Sequence, residues 1–310
     1  MTQDKFMGAR RLTAAESKGA NLGALAQLIG TWENAPAPAG LLSSGWNVIA
    51  VPGATTPFVF EVIPYTEKLT FSAAVVEAGN RGPSFNGNQV EQQIVGLIYE
   101  QSIVSACPAN GPCVQRGFPA GTTIHEETGL FLNVLKPNGG YDLARLATIP
   151  HGNSLLALGT SSTTPPQNNN FFPVASAIPT NLNGSAVSAN DVGLDYTQQI
   201  TDKQFPPFDQ ANPNSALQAA LGTQVITAMT TLNLSTNNKD AGGGILNLPF
   251  ITSNVSAMSM DATFCIETIK GSSALQMQYT QTINLIFPPT GKAVPIIWPH
   301  ITVNTLIKKS

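Results

Sequence analysis

The chain has 310 residues, 11% of them charged and 42% hydrophobic, with a net charge of −3, so it can bury a large core and carries no electrostatic footprint for nucleic acid. Basic residues pair up only at Arg10-Arg11 and Lys308-Lys309. No run is long and apolar enough to cross a bilayer, and Met1-Thr2-Gln3-Asp4-Lys5 leads into no apolar leader, so the expectation is a cytoplasmic protein with no membrane partner.

Thr13-Ala14-Ala15-Glu16 has the spacing of a capping box and predicts an N-terminal helix that runs, with interruption at the glycines, through Leu22, Leu25 and Leu28 to Gly30. From Phe58 the texture changes to alternation. Phe58, Phe60 and Val62 share a face, as do Leu69, Phe71, Ala73 and Val75, then Ile94, Gly96 and Ile98. Cys107 and Cys113 flank a Pro/Gly-rich loop; they read as two loop thiols, with a small-loop disulfide as the oxidised alternative, and Cys265 reads as buried. Further strands are predicted at 123–135, 141–149, 154–160, 255–269, 274–287 and 300–307, with Lys136-Pro137-Asn138-Gly139-Gly140 as a hairpin turn.

Residues 161–195 read as a long loop: a lid, a packing arm or disorder. Asn214-Ser215 predicts a short helix through Leu217, Leu221 and Val225 that ends near Met229, although the Thr-rich stretch 225–234 suits a strand as well. Many strands joined by Pro/Gly/Asn turns, without a repeating helix between them, argue for a mainly β fold: an antiparallel barrel with an N-terminal helix. Residues 1–310 then form a single elaborated domain, with an insertion at about 161–250 that carries the short helix.

The three histidines are the candidate chemistry. On a strand at 123–133, His125, Glu127, Gly129, Phe131 and Asn133 project to one face; on its partner, Leu143, Arg145, Ala147, Ile149 and His151 do so; on the last strand, His300, Thr302 and Asn304 do so. Pro299 lacks a ladder donor and suits a strand start or an edge, which puts His300 near a barrel rim. Each histidine also has an ordinary reading: His125 paired with Glu127 on a half-exposed strand, His151 in a turn, His300 as a satisfied core residue.

Three short stretches resemble the nitrobindin family, haem-binding antiparallel barrels of lipocalin/fatty-acid-binding (calycin) type. They are Leu28-Ile29-Gly30-Thr31-Trp32, Ile124-His125-Glu126-Glu127-Thr128-Gly129-Leu130-Phe131 with Thr148-Ile149-Pro150-His151-Gly152 after it, and Pro299-His300-Ile301-Thr302-Val303-Asn304-Thr305-Leu306. The resemblance implies a haem b cofactor with His300 as proximal iron ligand, and places His125, His151, Pro299 and Thr302 at the cofactor. It implies ferric-haem chemistry on nitric oxide or peroxynitrite. With His125 or His151 over the iron as acid/base, the expectation shifts to a haem peroxidase or oxygenase. The rival from another class is a haem-free barrel that holds a fatty acid or another hydrophobic small molecule. There the Gln276, Gln278, Thr280, Thr282, Asn284 series suits a polar-decorated cavity as well as a surface. Homo-oligomerisation is left open, and a further reading gives the insertion a structural or assembly role.

Overall fold

The structure, a computed structural model, describes residues 10–11, 22–75, 80–85, 88–92, 94–134, 142–164, 172–187, 199–237, 242–291 and 293–309. Its first strands are β1 (Arg10–Arg11), β2 (Gly30–Asn34), β3 (Gly45–Val51), β4 (Val59–Val75), β5 (Asn80–Phe85), β6 (Asn88–Gln92) and β7 (Ile94–Ser105). The middle contributes β8 (Thr123–Val134), β9 (Leu143–Ile149), β10 (Asn153–Thr164) and β11 (Thr180–Asn181). The last are β12 (Ile226–Ser235), β13 (Gly244–Asn247), β14 (Ser256–Ile269), β15 (Leu275–Phe287) and β16 (Ile296–Lys308).

These strands close an antiparallel barrel. The order around it runs β4, β2, β16, β15, β14, β12, β10, β9, β8, β7, and β7 pairs back onto β4. That closure pairs each of the ten ring positions on both sides; the short β1 and β11 and the separate β5–β6 ribbon lie outside the ring. Two of the positions hold two collinear strands each. β2 and β3 both lie between β16 and the 17-residue β4, and β12 and β13 both pair with β10.

The Lys136–Gly140 turn lies outside the described residues, but the β8–β9 ladder on either side of it pairs Phe131 with Arg145 and Asn133 with Leu143. The capping-box stretch Thr13–Glu16 also lies outside them. The next described element is a 3-10 helix, Gly23–Leu28, and not a long α-helix. Gly23 sits at φ 52°, a left-handed position that interrupts any α-helix running into it. The helix expected to reach Met229 stops at Leu221, because Gly222 also turns left-handed at φ 52°. The β-branched run from Ile226 then forms β12. So β12 and β13, expected inside the insertion, are barrel strands.

Two apolar cores result. The first fills one end of the barrel: Leu25 and Leu28 of the 3-10 helix pack onto Trp32, Phe71, Phe131 and Met277. The second lies outside the barrel, where the insertion covers the wall made by β3, β4 and β16. There Phe208 stacks on Trp46 with ring centroids 4.0 Å apart, and the helix Ser215–Leu221 covers the outer face of β16. The insertion therefore acts as a packing arm on the outer wall.

Cys107 and Cys113 form a disulfide around a short α-helix, Pro112–Gln115, a correction to their reading as loop thiols; Cys265 is free and buried as expected. No helix among the described residues is long and apolar enough to cross a membrane.

Candidate functional site

Inside the barrel, alternation along each strand stacks side chains into layers. Above the apolar end lies a belt of polar groups that hold one another. Glu127 on β8 accepts from Arg145 Nη2 on β9 at 2.6 Å and from the Tyr99 hydroxyl on β7. Arg145 also donates through Nε to the Tyr99 hydroxyl at 3.0 Å and through Nη1 to Gln281 Oε1 at 2.7 Å. Burial pushes the Glu127 carboxyl up, but the Arg145 guanidinium overrides it and holds the group at about 2. Gly129 makes room for this belt: a Cβ there would fall 2.7 Å from the Tyr99 ring and 2.0 Å from the Leu146 carbonyl oxygen. Beside it, Glu67 accepts from Tyr279, Asn304 and Gln101 at 2.7, 2.9 and 2.7 Å. Burial still raises its pKa, against those hydrogen bonds.

Above the belt the interior opens into a cavity of about 290 Å³. All three histidines line it, as the face assignments predict. His300 on β16 lies opposite Ile283 on β15. Its Nε2 is sealed from water and has no hydrogen-bond partner, so the reading of a satisfied core histidine is overturned. The ring keeps some accessible surface because it borders the cavity. Burial pushes its pKa down to about 3, with smaller contributions from His125 and His151, so the ring is neutral at physiological pH.

His125 and His151 stand together at the mouth, ring centroids 5.6 Å apart. His125 Nε2 meets Glu127 Oε2 at 3.2 Å, so its ordinary reading holds alongside its place in the cavity wall. His151 occupies the turn between β9 and β10, exposed on the rim, where burial and then the nearby His125 lower its pKa.

Thr302 lines the cavity, and Pro299 does not appear among its walls. Pro299 instead lies within β16, opposite Asn284, in the gap between the β16 ladders to β11 and to β3. That position accommodates its missing donor. Gln276 and Gln278 point outward and decorate no cavity: Gln276 donates to Glu267 at 2.8 Å, and Gln278 to the Leu217 carbonyl oxygen at 2.7 Å.

Two cavity groups escaped sequence reasoning. Asn47 on β3 and Glu61 on β4 face the interior with Oδ1 and Oε2 buried and without partners. The alternation of Trp46, Val48 and Ala50 with Asn47, Ile49 and Val51 was the available signal; the wholly apolar set that carries the Trp packs outward, under the insertion.

Among the described residues no group of three or more His, Cys, Asp or Glu side chains is placed to hold a metal ion, so the histidines are not a metal triad. A haem iron needs only one protein ligand, and the orphaned, neutral, inward Nε2 of His300 fits that requirement. No family model matches the chain, and no characterised protein matches it by sequence. Among solved structures it is similar to the crystal structure of Rv2717c from M. tuberculosis, with 16% identity and a TM-score of 0.39 over 93% of this chain and 96% of that one.

Proposed function

We propose that this barrel binds haem b in the cavity, with His300 Nε2 as the atom that would hold its iron. The observation that carries the proposal is the unpartnered, uncharged imidazole nitrogen sealed inside an otherwise largely apolar cavity. Bound there, haem would supply an iron able to take up a small ligand, nitric oxide or peroxynitrite being the reactants the resemblance implies. The chain's own contribution is to hold His300 deprotonated and to exclude water with Ile63, Ile103, Ile149 and Ile283. His125 and His151 add polarity at the mouth.

Titration of the protein with hemin tests this. A shifted Soret band that is lost in His300→Ala supports the proposal; no shift, or the same shift in the variant, overturns it. The peroxidase variant requires His125 or His151 as a free acid/base. His125 Nε2 already meets Glu127, and His151 lies on the exposed rim, so no observation favours it.

A second reading is a haem-free carrier of a small, mostly apolar molecule. It is favoured by the two acceptors that an iron would leave unmet and by a cavity of about 290 Å³, just below the range of about 300–1,000 Å³ for drug-sized ligands and so suited to a smaller molecule.

A further inference from the structure

We propose that the cavity selects a ligand with an apolar body and a protonated amine head, gripped by Glu61 and Asn47. This deepens the second reading and rests on the cavity being a ligand site, independently of haem.

The geometry places both acceptors on one wall. Glu61 on β4 lies opposite Ile49 on β3, and Asn47 lies opposite Ile63, so Asn47 and Glu61 are diagonal neighbours across one antiparallel pair. Diagonal neighbours stand roughly 7–8 Å apart, close enough for one small head group to reach both. Asn47 Oδ1 and Glu61 Oε2 are acceptors without a donor, and a buried polar atom left unmet carries its desolvation cost uncompensated. A ligand that supplies hydrogens there recovers that cost.

Charge then narrows the head group. Among the described lining groups the side chains able to carry a charge are Glu61 and the three histidines, beside the phenol of Tyr279. Burial raises the Glu61 pKa, while the guanidinium of Arg116, which is exposed and donates to the Phe60 carbonyl oxygen, lowers it and favours the carboxylate. In the belt below, Arg145 is engaged by Glu127, Tyr99 and Gln281. Glu67 is already met by three donors, and Glu127 is paired. At the other wall His300 is neutral and the pKa of His151 is lowered, while His125 faces Glu127. The field at Glu61 thus favours a cation. A fatty acid would set one carboxylate beside another, the unfavourable arrangement. The neighbouring walls, Ile49, Ile63, Ile283 and Leu285, suit an alkyl or aryl body.

The experiment is calorimetric titration of the full chain at pH 7.5 with n-octylamine, 1-octanol and octanoate. Octylamine should bind about tenfold or more tighter than either competitor, the size expected for a charged hydrogen bond. Glu61→Gln should remove most of the preference for octylamine over octanol. Asn47→Leu, a second route should Glu61→Gln misfold, should weaken octylamine several-fold. Equal binding of the three probes, or a preference that survives both substitutions, overturns the inference while the cavity reading stands. Failure of all three to bind overturns both.

Discussion

At the scale of single residues, His300 decides how the protein responds to acid. The unfolded chain protonates this ring near pH 6.5, whereas the folded chain keeps it neutral down to about 3. Below pH 6.5 the unfolded state therefore binds the extra proton, and stability falls with pH until the folded pKa is reached. From pH 6.5 to 5 that amounts to about 2 kcal/mol at most, and less where cavity water reaches the ring. Glu267, buried on the outer wall and pushed up to about 7, works in the opposite sense: its contribution is present below pH 4.5 and lost as pH rises through 7. A comparison of wild type with His300→Leu cancels Glu267 and isolates the imidazole. Urea unfolding at pH 7 and pH 5 should show wild type losing on the order of 1–2 kcal/mol more than the variant. Equal losses would mean that the ring is protonated in the fold, and would remove the lone pair on which the haem proposal depends.

At the scale of elements, the strands were legible because period-2 alternation survives in any half-buried sheet, and the three histidine faces came from it. Two elements were misjudged for local reasons. A left-handed Gly23 opens a 3-10 turn where α-helical turns were expected, and a left-handed Gly222 ends a helix that was expected to run on into what is β12. Neither φ value is visible in sequence. The role of the insertion was not legible either, because the alternation of Trp46 and Val48 with Asn47 and Ile49 does not reveal which side of the wall the insertion covers. Phe208 makes that point testable. Its stack on Trp46 belongs to the outer core, whereas Asn47 and Ile49 face the cavity from the same strand. Phe208→Ala should cost about 3–5 kcal/mol in chemical denaturation, as for other buried aromatics, yet leave hemin or octylamine affinity within twofold. A large loss of ligand affinity at preserved fold would show that the arm shapes the cavity.

At the scale of the whole molecule, the barrel interior is layered: an apolar end, a belt of satisfied polar groups, and the cavity with its unmet atoms. The belt is what lets the two ends differ. Glu127, Arg145, Tyr99 and Gln281 come from β8, β9, β7 and β15, so one ion pair and its hydrogen bonds tie strands from opposite sides of the barrel across the interior. Such a pair contributes little net stability compared with apolar replacements, but removal of one partner strands the other charge. Arg145→Met should therefore destabilise by about 3–5 kcal/mol, the cost of leaving the Glu127 carboxylate uncompensated. Adding Glu127→Gln to that variant removes the stranded charge and should recover at least half of the loss, a positive coupling measured by a double-mutant cycle. If the two substitutions simply add, the belt is a set of independent hydrogen bonds rather than one coupled unit. The cavity floor would then owe its form to the packed apolar end beneath it, and the variants would lose ligand binding only in proportion to their loss of folded protein.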